Sequence, residues 1–401
     1  MTSGPEHELD VVVVGGCGHV GLPLAIAFAD RGRRVGIYDI NDHAVKQVGG
    51  GQLPFHEEGA QVVLDRVLEQ GSLEVSSDPA IISRAEHVVV VIGTPVDEHL
   101  NPNPHAVTRS LAETLPQFHD GQMVVLRSTL YPGVTAGVER VFAEAGLSVD
   151  VAFCPERIAE GKAMVELFAL PQIVSGRTAE VRERAGRLFR SLTDTIVELE
   201  PEEAELAKLF TNTWRYIKFA AANQFYVMAN DHGLDFDRIR TALATDYPRA
   251  ADMPGAGFAA GPCLFKDTMQ LAAFTDNSFV LGHSAMLVNE GLPLYMVSQL
   301  EKKYDLATLR VGILGMAFKA ESDDIRSSLS YKLKRILEFR ARQVLTADPY
   351  VRVDDTLSPT EAVLAQSDII VIGAPHAEYR DLPIEVPVVD VWNLRGGGST
   401  I

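Results

Sequence analysis

The residues of this chain best suited to covalent chemistry are a cysteine with a lysine three positions on and an aspartate four positions on. Cys263 stands in Gly261-Pro262-Cys263-Leu264-Phe265-Lys266-Asp267, where the Gly-Pro pair marks a turn and residues 267–274 have the pattern of a helix. Cysteines outside disulfides more often serve as small buried hydrophobes. The neighbours set this one apart, because a helix amino terminus and a lysine both favour the thiolate. A thiolate can capture an aldehyde as a thiohemiacetal, which gives up a hydride to become a thioester, and water then releases an acid. A simple alcohol oxidation has no use for such a group, so the expectation is a four-electron oxidation.

Hydride chemistry needs a nucleotide, and the amino-terminal residues supply the place for one. Val11-Val12-Val13-Val14 reads as a strand, Gly15-Gly16-Cys17-Gly18-His19-Val20-Gly21 as a tight turn, and residues 22–30 as a helix ended by Gly32. Gly16, Gly18 and Gly21 form G-x-G-x-x-G in the strand-turn-helix setting that gives the motif meaning, with His19 and Val20 inside it. The next strand, residues 35–38, ends at Asp39. An acid there accepts from ribose hydroxyls and repels a 2′-phosphate, so the expected cofactor is NAD rather than NADP.

Further strands are expected at residues 87–92, 123–127 and 149–153, running into Gly93-Thr94-Pro95, Ser128-Thr129 and Cys154-Pro155-Glu156. Ligands of open parallel sheets bind beyond the carboxyl ends of the strands, so Thr94, Thr129 and Glu156 are expected to face one crevice. Residues 202–232 contain neither proline nor glycine and carry apolar residues at helical spacing. At 1.5 Å per residue this is one helix of about 45 Å, whose broad apolar surface points to a homodimer interface. A second alternation begins near Leu309, with strands at 311–315, 344–348 and 368–373 and a helix at 328–340. Val371-Ile372-Gly373-Ala374-Pro375 echoes Val91-Ile92-Gly93-Thr94-Pro95, but the full glycine fingerprint is missing. The second lobe is therefore expected to hold a different nucleotide.

Length and composition agree with this plan. A chain of 401 residues with 46% hydrophobic content is large enough for two or three buried cores. Its formal charge of −18 disfavours nucleic acid and anionic lipid as partners. The absence of a long apolar run and of a basic, signal-like start leads to a cytoplasmic expectation. Cys17, Cys154 and Cys263 match neither a disulfide framework nor a zinc site, so no metal is expected. The fold class is α/β, with two Rossmann-like doubly wound lobes joined by a long central helix and a helical dimerisation region. The expected domains are 1–200 for NAD, 201–300 helical with the cysteine, and 301–401 for the second nucleotide.

Several separated motifs remain. They are Ser128-Thr129-Leu130-Tyr131-Pro132-Gly133, Cys154-Pro155-Glu156-Arg157-Ile158-Ala159-Glu160-Gly161, Glu205-Leu206-Ala207-Lys208 with Asn212, Ala317-Phe318-Lys319 with Asp324-Ile325-Arg326-Ser327-Ser328, and Asp348-Pro349-Tyr350. With the fingerprint, they make residues 10–393 resemble the UDP-glucose/GDP-mannose dehydrogenase family of nucleotide-sugar 6-dehydrogenases.

The resemblance implies Cys263 as nucleophile, Asp267 as the group that helps activate water, and Lys208 and Asn212 as holders of the oxyanion. The last pair, at i and i+4, shares a helix face, as two donors to one oxygen must. It further implies that Thr129 and Glu156 position the water that takes the alcohol proton, and that Glu160 lies where cofactor and substrate meet. Gly257, Phe258, Phe318 and Lys319 are implied as nucleotide-sugar contacts, Arg326 as an NAD contact, and Arg249 as an arginine reaching the sugar site of a neighbouring subunit.

Two departures concern the sugar: the cysteine loop Gly257-Phe258-Ala259-Ala260-Gly261-Pro262-Cys263 is longer by one residue than the family's, and Trp392 stands where many relatives have arginine. The implied reaction consumes two NAD per sugar, with UDP-glucose the first expectation, a UDP-N-acetylhexosamine the second and GDP-mannose the third. A two-electron hydroxyacid dehydrogenase and a non-catalytic NAD-binding protein are the competing readings. Neither uses the Cys263 cluster.

Overall fold

The computed structural model describes residues 7–94, 97 and 102–401; Pro95 of the expected Gly93-Thr94-Pro95 turn, and the start of the chain before His7, lie outside them. By internal packing the chain divides into two units, Met1–Phe210 and Thr211–Ile401.

The first unit is built on strands β1 (Leu9–Val14), β2 (Val35–Tyr38), β3 (Leu73–Ser76), β4 (Ala85–Val90), β5 (Met123–Leu126), β6 (Asp150–Phe153), β7 (Gln172–Gly176) and β8 (Ile196–Leu199). They form one sheet in the order β3-β2-β1-β4-β5-β6-β7-β8. Its first six places are the doubly wound order in which the chain reverses beside β1, the position where dinucleotides bind. Every pairing is parallel except β6 with β7.

The unbroken valine run of β1 follows from burial on both faces. Val11 and Val13 pack with Leu24 and Phe28 in one core, while Val12 and Val14 pack with Val107, Phe118 and Phe142 in the other. The helix after the fingerprint is Gly21–Asp30, and β2 occupies the expected residues. Strand β4 ends two residues earlier than the apolar run suggests. Val91 N still donates to Val14 O at 2.8 Å, but Ile92 N leaves the ladder for the Ser128 hydroxyl at 2.7 Å.

The long helix is Pro201–Asp231, and the boundary between the units falls within it. Gly233, in the left-handed region at φ +68°, closes it. In the second unit, β9 (Arg310–Leu314), β10 (Gln343–Ala347), β11 (Ile369–Ile372) and β12 (Val388–Val389) form a fully parallel sheet ordered β10-β9-β11-β12. Val311 and Ile313 pack on Leu329, Leu333 and Leu337, whereas Leu314 packs with Ile370 and Ile372. The second lobe is therefore Rossmann-like too. Helix Val280–Lys303 has no counterpart in the sequence reading; Pro293 lies inside it, at a kind of position proline normally breaks. No helix among the described residues is long and apolar enough to cross a membrane.

Candidate active site

In the first unit the three fingerprint glycines have different physical causes. A Cβ on Gly16 would lie 2.8 Å from Val13 O, and one on Gly21 would lie 2.6 Å from Gly15 O, so the turn and the start of the helix exclude side chains there. A Cβ on Gly18 would come no nearer than 3.9 Å to any atom. The fold does not need that glycine, and the space it leaves open suits a close ligand. Asp39, at the end of β2, accepts from Cys17 N on Oδ2 and from Asn41 N on Oδ1, both at 3.0 Å. A carboxylate has about four acceptor positions, so capacity remains for ribose hydroxyls. His19 Nδ1 lies 3.5 Å from Glu160 Oε1, and its ring packs on Phe55 with centroids 4.0 Å apart.

Beyond the carboxyl ends of β4, β5 and β6, Thr94 Oγ1 donates to Thr129 O at 2.8 Å and Glu156 N donates to Arg127 O at 3.3 Å. The structure thus brings Thr94, Thr129 and Glu156 to one edge of the sheet. The Glu156 carboxylate pairs with the buried guanidinium of Arg127 and accepts from Arg157 N at 2.6 Å and Ile158 N at 2.9 Å. Arg127 also donates to Cys154 O and Gln172 Oε1, with its guanidinium over the Phe189 ring. Sequence reasoning passed over Arg127 because it ends an otherwise apolar strand; a buried arginine there demands an acid partner.

The long helix carries Lys208 and Asn212 one turn apart, both buried. Glu205, three residues before Lys208, accepts from Gly133 N, Thr135 N and Thr135 Oγ1 at 2.6–2.8 Å. It caps helix Val134–Glu144 and so fixes the long helix against the Ser128-to-Gly133 turn.

In the second unit the helix expected from residue 267 begins at Leu264, directly after Cys263. Cys263 is exposed, whereas Cys17 and Cys154 are buried. Burial, aided at Cys17 by the Asp39 charge, pushes both buried thiols up to about 12, against the opposing pull of Arg127 at Cys154. Asp267 N donates to Cys263 O at 2.9 Å, which puts the thiol and carboxylate residues one turn apart. The Asp267 side chain is wholly buried; Oδ2 accepts from Asn212 Nδ2 at 2.5 Å, and Oδ1 lies 3.5 Å from Lys266 Nζ.

The loop leading to Cys263 is seated on three supports. Asn223 accepts from Gly257 N and donates to Gly257 O. A Cβ on Gly257 would lie 2.2 Å from the Trp392 ring, and one on Gly261 2.5 Å from the Phe318 ring, so both glycines let aromatic faces press on the backbone. Phe258 is buried edge-on to Trp392. Lys319 Nζ lies 5.5 Å from the Phe318 ring centre.

Three consecutive stretches match the UDP-glucose/GDP-mannose dehydrogenase family: its NAD binding domain over residues 10–193, its central domain over 202–290 and its UDP binding domain over 312–394. The chain belongs to that family. Among its members it is 30% identical over 387 residues to the UDP-N-acetyl-D-mannosamine dehydrogenase of Pyrococcus horikoshii, covering 92% of this chain and 90% of that protein. The solved UDP-D-ManNAc dehydrogenase of Pyrococcus horikoshii matches with a TM-score of 0.86 at 29% identity, over 94% of this chain and 91% of that one. A UDP-glucose dehydrogenase of Pyrobaculum islandicum matches with a TM-score of 0.88 at 27% identity, over 97% and 95%.

As a member of the UDP-glucose/GDP-mannose dehydrogenase family the protein is an NAD-dependent nucleotide-sugar dehydrogenase. The residues at β1 and β2 fit the cofactor, through the open space at Gly18 and the remaining acceptor capacity of Asp39. Two of the family-implied contacts are held locally. Arg326 grips Asp324 through Nε and Nη2 at 2.6–2.9 Å, and Arg249 donates to the Tyr247 hydroxyl at 3.2 Å on an exposed turn.

Proposed function

We propose that the protein oxidises the C6 alcohol of a UDP-N-acetylhexosamine, UDP-N-acetylmannosamine first, to the uronic acid. UDP-glucose, the first expectation from sequence, becomes the second reading. The relative at 30% identity is named for UDP-N-acetyl-D-mannosamine. The solved structures alone do not separate the sugars, since a UDP-glucose dehydrogenase matches as well.

The observation that carries the reaction type is the exposed Cys263 directly before a helix, with the buried Asp267 one turn on and bonded to Asn212. NAD, when bound, supplies the hydride acceptor for both oxidations. The chain's own residues do the rest. Thr129 and Glu156 hold the water that takes the alcohol proton, with Arg127 fixing the Glu156 carboxylate. Cys263 Sγ forms a bond to the aldehyde carbon as its proton passes to the oxygen, giving a thiohemiacetal. Loss of a hydride and a proton leaves a thioester. Water assisted by Asp267 adds to the thioester carbon, the C–S bond breaks, and the acid leaves as the thiol is restored.

Lys208 and Asn212 stabilise the negative oxygen of the tetrahedral species. Gly16, Gly18, His19, Val20, Gly21, Asp39, Thr94, Glu160 and Arg326 serve the cofactor. Arg249, Gly257, Phe258, Phe318 and Lys319 serve the nucleotide sugar. The homodimer reading is supported by Phe210, Trp214, Phe225 and Met228, large apolar residues exposed on the long helix within an arc of about 60° at 3.6 residues per turn.

The test is NADH formation from a panel of UDP-N-acetylmannosamine, UDP-N-acetylglucosamine, UDP-glucose and GDP-mannose. Two NADH per sugar, with the highest kcat/KM on UDP-N-acetylmannosamine, is expected. Preference for UDP-glucose reverses the substrate order, and one NADH per sugar removes the thioester step.

A further inference from the structure

The two lobes treat corresponding aspartates differently. Asp39 follows β2 and Asp348 follows β10, each the strand beside the first strand of its sheet, and each accepts from the backbone just after that first strand. Asp39 keeps part of its surface and some acceptor capacity. Asp348 is buried and filled: Oδ2 accepts from Met316 N at 2.7 Å and Ala317 N at 2.9 Å, and Oδ1 from Tyr350 N at 2.9 Å and Val351 N at 3.1 Å. His376, wholly buried, closes over it with Nε2 3.1 Å from Oδ2.

The other ring nitrogen fixes the tautomer. His376 Nδ1 accepts from Glu321 N at 2.9 Å, so the proton of the neutral ring is on Nε2 and is donated to Asp348. Glu321 is held in the left-handed region at φ +53°, which a non-glycine residue adopts only where its surroundings demand it. Those surroundings are complete: its Oε1 accepts from Ala377 N at 2.7 Å and its Oε2 from the Tyr350 hydroxyl. Asp348 thus grips the start of the turn 317–321 and His376 its end. That turn carries Phe318 and Lys319.

We propose that His376 is a positioning residue for nucleotide-sugar binding: by bridging Asp348 and the Glu321 backbone it sets the turn that aims Phe318 and Lys319 at the diphosphate and base. The ring turns what is a ribose acceptor in the first lobe into a turn anchor in the second. This assignment rests on the reading of the second lobe as the sugar-nucleotide site.

The test uses the full-length protein with UDP as probe in calorimetry and a UDP-sugar in steady-state assays. His376→Leu is expected to weaken UDP binding and raise KM for the UDP-sugar at least tenfold, while KM for NAD and the alkylation rate of Cys263 stay within twofold. His376→Gln, which restores a donor toward Asp348, is expected to recover part of the loss. Tyr350→Phe removes only the hydroxyl on Glu321 and guards against a variant that fails to fold; a KM rise of about threefold is expected. Folded variants with unchanged UDP affinity and lowered thermal stability alone would overturn the assignment. Wild-type protein that neither binds UDP nor oxidises any UDP-sugar would instead overturn the reading of the lobe, and this assignment with it.

Discussion

Asn212 donates from Nδ2 to the buried Oδ2 of Asp267 at 2.5 Å, tying the long helix to the helix that starts after Cys263. Loss of an oxyanion donor typically raises a barrier by about 2.7–4 kcal/mol. Lys208→Ala is therefore expected to lower kcat by roughly two to three orders of magnitude, with NAD affinity by fluorescence titration unchanged. Asn212→Ala removes a donor and also strands the Asp267 carboxylate, which adds about 1–3 kcal/mol of lost stability. Calorimetric unfolding should separate the two variants. Near-normal turnover of Lys208→Ala would remove it from the mechanism.

The cysteines should differ sharply in reactivity. Cys17 and Cys154, pushed up to about 12, are on the order of one part in a thousand thiolate at pH 9, and they are buried as well. Iodoacetamide at pH 8 is expected to modify the folded protein once per chain, at Cys263, with activity lost in step. Peptide mass spectrometry locates the label; modification of Cys17 or Cys154 before Cys263 would contradict the assignment.

The glycine fingerprint predicts opposite phenotypes for two similar substitutions. Gly18→Ala has room for its methyl group and should fold normally while raising KM for NAD, because the new Cβ enters the ligand's space. Gly21→Ala meets Gly15 O and should cost about 1–3 kcal/mol of stability. Thermal melts paired with NAD saturation curves distinguish them, and a Gly18→Ala enzyme with wild-type KM for NAD would refute the cradle.

Asp39 should decide the cofactor. Asp39→Ser keeps a side-chain acceptor for the Cys17 amide and removes the charge that repels a 2′-phosphate. The ratio of kcat/KM for NAD to that for NADP is expected to fall at least tenfold. An unchanged ratio would show that selectivity comes from elsewhere.

The second lobe should carry part of the acid sensitivity. Burial opposes charge on Asp348, but the hydrogen bond from His376 and the Ala317 and Tyr350 amides outweigh it, holding the carboxyl below its ordinary value of 3.8. A depressed carboxylate contributes stability above the unfolded-state value, and that contribution is lost as pH falls through the lower folded-state value. Asp348→Asn should therefore destabilise the protein at pH 7 and flatten the loss of stability below about pH 4. Urea unfolding across pH 2–7 measures this, and a parallel offset at every pH would exclude the linkage.

Much of this molecule was legible in one dimension. The valine run, the spaced glycines and Asp39 mark the first nucleotide lobe because a doubly covered strand and a pyrophosphate turn leave little freedom of residue type. The long helix was equally plain, since residues 202–232 contain no breaker. Helix Val280–Lys303 was not, because Pro293 speaks against a helix and packing against its neighbours, helices Leu264–Phe274 and Leu329–Glu338 among them, overrides it. Among the candidate site residues, Cys263, Asp267, Lys208 and Asn212 took roles from the sequence, but Arg127, Glu205 and His376 took none. Those three act on partners 29, 70 and 28 positions away, and no local pattern announces such pairs.

Local chemistry is what the sequence determined by itself: which turn has the glycine spacing of a dinucleotide fingerprint, which thiol stands at the start of a helix, which residues share a helical face. These depend on spacings of a few residues, and backbone geometry converts such spacings directly into position. The fold decided which groups are held and which are available. It sealed Asp348 under His376 while leaving Asp39 partly open, buried two cysteines and exposed the third, and set Glu156 against a guanidinium. Burial and long-range partners are properties of the packed chain, and they separate residues that look alike when read in order.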